Sequence, residues 1–256
     1  MIPLEKKEDF LICRRNELVP MNPKTEYGIG GLLSYRINTN TAHPDSMYKK
    51  YNKVTDSYEG ESLTAKLFKQ LYGRTEQSSD TIFNCWSYFR MFVLWRLEVL
   101  KIWIPWREEK AEGAVLERTA KNNLSKIFDG YDNIRQLFDS LADLHHSLAN
   151  FMPAPKGFNG MENWDGKGTF HRDNDIPDIY YKRAEHDFPQ MYKWINDYMD
   201  EYSLQFFIEY KSPWSDGNAN SAINNANELD AFIKSIEDAI KCIEDRADRL
   251  YCKICR

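Results

Sequence analysis

The sequence predicts a mainly α-helical protein, an irregular helical bundle around a buried central helix at residues 81–104. Three observations predict this fold class. Apolar residues recur every three to four positions along most of the chain, and the stretch from Ile82 to Trp106 is apolar on nearly every side. Predicted helices also cover more than half of the 256 residues, a length that fits one domain over 1–256.

Residues 1–60 show no sustained helical period, and we predict an irregular N-terminal extension packed on the helical domain. A short β element is predicted within it. The turn-prone stretch 27–31 is followed by an alternation from Leu32 to Ile37, which is typical of a strand. The Gly28–Gly31 fragment lacks the rest of a dinucleotide-binding fingerprint, so a loop is favoured over a phosphate site.

The spacing of apolar residues predicts the remaining helices. Gly73, Pro105 and Gly130 are expected to end or break them, because glycine terminates helices and proline cannot continue one. The predicted helices are, in order, 62–72, 81–104, 107–128, 132–151, one resuming near 184 and bending through 206–210, and 229–250.

The segment 153–185 has no period and contains three prolines and four glycines. Connections longer than about 15 residues are uncommon inside compact domains, and they are usually functional or disordered. Phe158, Trp164, Phe170, Tyr180 and Tyr181 are residue types that disordered linkers avoid. We therefore predict a long loop ordered against the helices. It either forms a site or covers the helices structurally, and a mobile loop stays an alternative.

Histidines and aspartates in and beside this loop are the candidate chemical groups. His145, His171 and Asp175 are the candidate catalytic residues, because histidine and carboxylate side chains exchange protons near neutral pH. His145 also falls on the apolar stripe of its helix. At such a position a core histidine with one satisfied hydrogen bond is the commoner outcome.

A divalent metal is a further expectation for the same loop. Asp173, Asp175 and Asp178 offer oxygen ligands at spacings that a loop wraps around one cation. The match to a calcium-binding loop fails, since the glycine at its sixth position and its final glutamate are missing. A solvated acidic turn is the alternative.

Charge, cysteines and targeting signals limit the partners. Residues 1–106 hold 15 basic against 12 acidic side chains, whereas residues 107–256 hold 19 against 27. Such an acidic second half disfavours general nucleic-acid binding, but it excludes neither a local basic site nor a basic protein partner. Five scattered cysteines do not form a secreted disulfide framework, and the Cys252–Cys255 pair, which closes a helix, is predicted to be structural or incidental. No signal peptide or membrane span is predicted, so the expected location is the cytoplasm.

One run resembles a known pattern. It reads Leu144-His145-His146-Ser147-Leu148-Ala149-Asn150-Phe151-Met152-Pro153-Ala154-Pro155-Lys156-Gly157-Phe158-Asn159, and shorter pieces at 43–46 and 84–89 accompany it. The run is similar to one in a group of uncharacterised bacterial and phage proteins, where a histidine-bearing helix enters an Asn-Phe or Asn-Gly step and a proline turn. The resemblance implies a bacterial or mobile-element origin and draws attention to this segment. It implies no reaction, and the chain departs from the pattern most over 161–178.

Two functions follow as expectations. The first is a binding protein that engages a macromolecular partner, with phage–host conflict as one setting, through Asn150, Phe158, Asn159, Trp164 and Arg172. The alternative is a hydrolase acting on nucleic acid or nucleotides. It would use His145, His171 and the aspartates, with or without a divalent metal.

Overall fold

The structure is a computed structural model that describes residues 4–15, 27–38, 44, 48–52, 57–73, 78–102, 112–155, 176–213, 223 and 226–255. The mainly α prediction is confirmed. Within the described residues the helices are α1 (Gly28–Asn38), α2 (Leu63–Tyr72), α3 (Cys85–Val99), α4 (Glu112–Asn122), α5 (Leu124–Ile127), α6 (Asp132–His145), α7 (Pro177–Asp187), α8 (Pro189–Asp197), α9 (Phe206–Glu209) and α10 (Ala226–Ile254).

Four short strands form two antiparallel pairs in the described part of the chain. Strands β1 (Tyr48–Asn52) and β2 (Ser57–Glu61) pair with each other, and β3 (Ser78–Thr81) pairs with β4 (Phe151–Ala154). The second pair joins residues seventy or more positions apart, with Thr81 opposite Phe151. It therefore fixes the start of the predicted loop against the segment that precedes α3.

The predicted central helix exists but is shorter than residues 81–104. Thr81 belongs to β3, and α3 begins only after Asn84, whose side chain accepts a hydrogen bond from the Trp86 amide. Such N-capping satisfies an amide that the helix itself leaves unpaired. The ring of Phe92 lies 5.4 Å from Phe128 and 5.6 Å from Phe138, centroid to centroid. Helix α3 is thus enclosed by α6 and the end of α5.

The strand predicted over 32–37 is wrong, because these residues belong to α1. Two carboxylates of α6 cap this helix: Asp143 accepts from the Gly28 amide and Asp139 from the Ile29 amide. Gly28 has φ +65°, and a Cβ there would lie 2.5 Å from the Asp139 Oδ1 atom. The glycine is therefore required by close approach to α6. The short β element of residues 1–60 is the β1–β2 pair instead.

Other observed helices begin or end at different residues from those that their apolar stripes predict. The helix predicted over 107–128 is described as α4 and α5, and α6 stops at His145, so that residue 151 lies in β4. Helix α7 begins at Pro177 rather than near 184, since proline is well suited to a first helical position. Helices α2 and α10 confirm their predictions, α2 with Ser62 and Gly73 as its caps.

Arg246 of α10 joins three parts of the fold. Its guanidinium is buried and donates to the carbonyls of Ala149, Phe151, Tyr202 and Ser203. Burial lowers the pKa of Arg246 to about 10. The side chain therefore holds β4 and the turn before α9 on the long C-terminal helix. Among the described helices, none is long and apolar enough to cross a membrane.

Candidate functional site

Asn150, which directly precedes β4, is hydrogen-bonded to the residues between β3 and α3. Its side-chain oxygen accepts from the Phe83 amide at 2.9 Å, and its amide nitrogen donates to the carbonyls of Phe83 at 3.0 Å and His145 at 3.1 Å. Its backbone carbonyl also accepts from the Ile82 amide. The two side-chain bonds to Phe83 thus extend the β3–β4 pairing by one further pair of hydrogen bonds, and both are buried.

His145 lies in the core at the N-terminus of α3. The residue is 2% exposed, and its Nδ1 atom lies 3.2 Å from the Cys85 amide nitrogen and 3.3 Å from the Phe83 carbonyl oxygen. Nδ1 accepts from Cys85 in one tautomer and donates to Phe83 in the other. In both cases this nitrogen contacts the backbone. The His145 side chain therefore positions the start of α3.

A cleft lies between described residues that precede and follow the 156–175 stretch. Its volume is about 280 Å³ including the mouth, and both β4, which precedes the stretch, and α7, which follows it, contribute. Apolar and aromatic side chains dominate the lining. The described residues that line it are Asp80, Thr81, Ile82, Met152, Ile176, Pro177, Tyr180 and Phe207.

Tyrosines on α7 and α8 form the rim beside this cleft. Tyr180 and Tyr181 each stack on Phe207 with centroids 6.1 Å apart, so the cleft wall continues directly onto the surface. The half-buried rings of Tyr181 and Tyr192 are 5.0 Å apart. The Tyr192 hydroxyl donates to Glu185, and the hydrogen bond with Tyr181 raises the pKa of Tyr192 to about 12. We call Tyr181, Tyr192 and Glu185 the tyrosine rim.

Asp178 faces inward from the first turn of α7. The residue is 2% exposed, and its Oδ2 atom accepts from the Ser212 amide at 2.9 Å and hydroxyl at 3.0 Å. Burial raises the pKa of Tyr88 and Tyr210, and the negative charge of Asp178 raises both further. The Tyr88 hydroxyl donates to Tyr210 at 2.9 Å. Asp178 therefore connects α7 to the segment after α9 through a buried polar cluster.

Three predicted site residues are described: His145, Asn150 and Asp178. Within the described residues no group of three or more histidine, cysteine, aspartate or glutamate side chains is placed to hold a metal ion. The hydrolase and the divalent metal stay predictions, as do the roles of the other candidates. Those candidates lie outside the described residues: Phe158, Asn159, Trp164, His171, Arg172, Asp173 and Asp175.

The cleft residues were missed at the sequence level. Thr81 was assigned to the central helix, and Phe207 lies more than a hundred residues further along the chain. The Tyr180-Tyr181 pair was noted only as an indication of order. Pro177, three residues before the pair, was the available signal. Proline is well suited to the first turn of a helix, so it predicts that Tyr180 and Tyr181 lie near the start of one.

Comparisons with protein-family models, with curated proteins and with solved structures find no match to this chain.

Proposed function

We propose that this protein is a binding protein that engages a basic protein partner at the cleft and its tyrosine rim. The observation that carries the proposal is the continuity of an apolar cleft with paired, half-buried tyrosines. Tyrosine is enriched in protein interfaces, where one ring supplies apolar contact area and its hydroxyl a hydrogen bond.

The size of the cleft supports a protein partner. The volume of about 280 Å³ includes the open space at the mouth, so the enclosed part is much smaller than the about 300–1,000 Å³ typical of small-molecule pockets. A shallow, mostly apolar depression of this kind suits contact with a protein surface, where a few anchoring side chains dominate the energetics. The partner would bury its anchor against Met152, Tyr180 and Phe207.

Charge supports a basic partner. Asp80 is the charged group among the described residues that line the cleft, and Glu185 lies on the rim. The wider setting is acidic, with 27 acidic against 19 basic side chains over residues 107–256. Opposite charge accelerates association and selects among partners. A bacterial or phage setting, with a role in phage–host conflict, remains part of the proposal through the resemblance of 144–159.

The proposal is tested by recovery of the partner from the native cell with tagged full-length chains. Thr81→Trp places a large ring in the cleft, and Asp80→Lys reverses its charge. We expect each variant to lose at least about tenfold in recovery, which corresponds to about 1.4 kcal/mol. Asp129→Lys, which reverses an exposed charge in the turn between α5 and α6, is the control.

Thermal melts of all variants show whether the fold survives. Equal recovery by the cleft variants and the control, with melting temperatures unchanged, would contradict the proposed site. Recovery of nucleic acid in place of a basic protein would contradict the proposed partner.

A further inference from the structure

Cys252 and Cys255 are two exposed thiols at one end of the longest described helix. Both are free cysteines; Cys252 lies in the last turn of α10, and Cys255 directly follows the helix. The Cys255 amide still donates to the Tyr251 carbonyl at 3.2 Å, so the helical turn continues through it. Side chains three residues apart on a helix are neighbours, with Cβ atoms about 5–6 Å apart. The two sulfur atoms therefore lie on the same side of the helix.

Contacts on the adjacent faces hold this helix end in place. The Tyr251 hydroxyl donates to the Glu5 carbonyl at 3.0 Å, and the Lys253 ammonium donates to the carbonyls of Asp200 and Glu201. Both cysteines are nevertheless exposed, and the Cys255 thiol lies within hydrogen-bonding reach of the Tyr251 hydroxyl. A preformed and exposed ligand pair costs little ordering entropy when it binds.

We propose that Cys252 and Cys255 bind Zn²⁺ together with the same two cysteines of a second copy of the chain. Structural zinc sites are tetrahedral, with zinc–sulfur distances of about 2.3 Å, which places two ligand sulfurs about 3.8 Å apart. Two cysteines separated by two residues on one helical turn reach that separation by side-chain rotation.

We assign the other two ligands to a second copy because the described residues of one chain supply only this pair. Cys242 lies ten residues earlier on α10, about 15 Å along the helix axis, and so cannot reach the same ion. No cluster of three ligand side chains exists in the part of the chain that the structure describes. A closed site needs four ligands, and two copies supply Cys₄. Binding releases the proton of each thiol to solvent, and no electron is transferred.

The test is a zinc titration of the reduced full-length protein, followed by light scattering and native mass spectrometry. We expect a dimer with one zinc per two chains that returns to monomer on chelation. Cys252→Ser and Cys255→Ser should each stay monomeric at the same zinc concentration. Cys242→Ser, on the same helix but outside the pair, is the matched control and should dimerise like the unchanged chain.

Cobalt in place of zinc gives an independent readout, since tetrahedral thiolate cobalt absorbs strongly in the visible range. Alkylation of the unchanged protein with N-ethylmaleimide should abolish that absorption even if a serine variant fails to fold. The proposal is overturned by absence of zinc binding, by one zinc per monomer without dimerisation, or by dimerisation that persists in both serine variants.

Discussion

The two flanks of the 156–175 stretch use their polar side chains in opposite ways. In the N-terminal flank, residues 145–155, the side chains of His145 and Asn150 contact backbone groups near the start of α3. In the C-terminal flank, residues 176–202, Asp178 is also buried, but Tyr181 and Tyr192 contact each other and other side chains at the surface. The first flank is thus fixed to the core, while the second presents rings to the outside.

This difference separates polar groups that hold the fold from polar groups that we propose contact a partner. A fully buried amide whose three hydrogen bonds all go to backbone is not accessible to a partner, and its loss leaves backbone groups unsatisfied. Half-buried tyrosines still have ring faces to cover. The N-terminal flank therefore positions the cleft, and the C-terminal flank supplies the surface that we propose binds.

The largest expected effect concerns Arg246, a cation of α10 that contacts both flanks. Arg246→Met removes a buried guanidinium that bonds four carbonyls, two of them in the N-terminal flank. We expect the free energy of unfolding to fall by about 3–5 kcal/mol, because several buried carbonyls lose their donors. Urea unfolding followed by circular dichroism measures it.

Arg249→Met is the matched control on the same helix. Arg249 pairs with Glu209 near the surface, and such pairs contribute about 0–1 kcal/mol. Equal losses in the two variants would show that the bonds of Arg246 to the N-terminal flank do not hold the fold.

A smaller loss is expected within the N-terminal flank itself. Asn150→Ala removes three buried side-chain hydrogen bonds, and we expect a cost of about 2–3 kcal/mol. Asn196→Ala changes an exposed amide of the C-terminal flank and should cost less than about 1 kcal/mol. Chemical denaturation of both variants gives the comparison. If Asn150→Ala cost no more than Asn196→Ala, the two flanks would not differ as described.

The smallest effect concerns Lys253, which bonds the carbonyls of Asp200 and Glu201 at the end of the C-terminal flank. Burial lowers the pKa of Lys253 to about 8 from its ordinary value of 10.5. Between these values the unfolded chain binds the proton and the folded chain releases it, so the contribution of Lys253 to stability rises with pH.

We therefore expect the stability of the unchanged chain, relative to Lys253→Met, to increase from pH 8 to pH 10 by less than about 1 kcal/mol, since the side chain is half exposed. Urea unfolding at several pH values measures the difference. Lys241→Met is the control. The hydrogen bond with Asp245 raises the pKa of Lys241. The stability of the unchanged chain relative to Lys241→Met should therefore not increase over this range. A flat or falling difference for Lys253 would contradict the assignment.

The sequence predicted the parts of the fold that local signals determine. Helix α2 has Ser62 and Gly73 as caps at its own ends, and α10 carries an unbroken apolar stripe. Helix α1 was missed because the carboxylates that cap it, Asp139 and Asp143, lie 110 and 115 residues from their partners. A cap supplied from such a distance leaves no pattern in the neighbouring residues.

The candidate site in the segment 153–185 stays a prediction, because most of that segment lies outside the described residues. The cleft lies beside the described residues on either side of it. The residues that form its far wall could not be predicted, because Phe207 joins the cleft through the packing of α9 on α7. The strand β3 was also missed, since Ser78 to Thr81 form a strand only through pairing with β4.

The most direct test places a photo-crosslinking amino acid, p-benzoylphenylalanine, at position 192 of the full-length chain in its native cell. The control position is Tyr198, which is also half-buried but stacks on Tyr202, away from the ring pair of Tyr181 and Tyr192. The account predicts a specific protein adduct from position 192, weakened by Asp80→Lys, and little from position 198. Equal adducts from both positions, or an adduct from 192 that Asp80→Lys leaves unchanged, would contradict it.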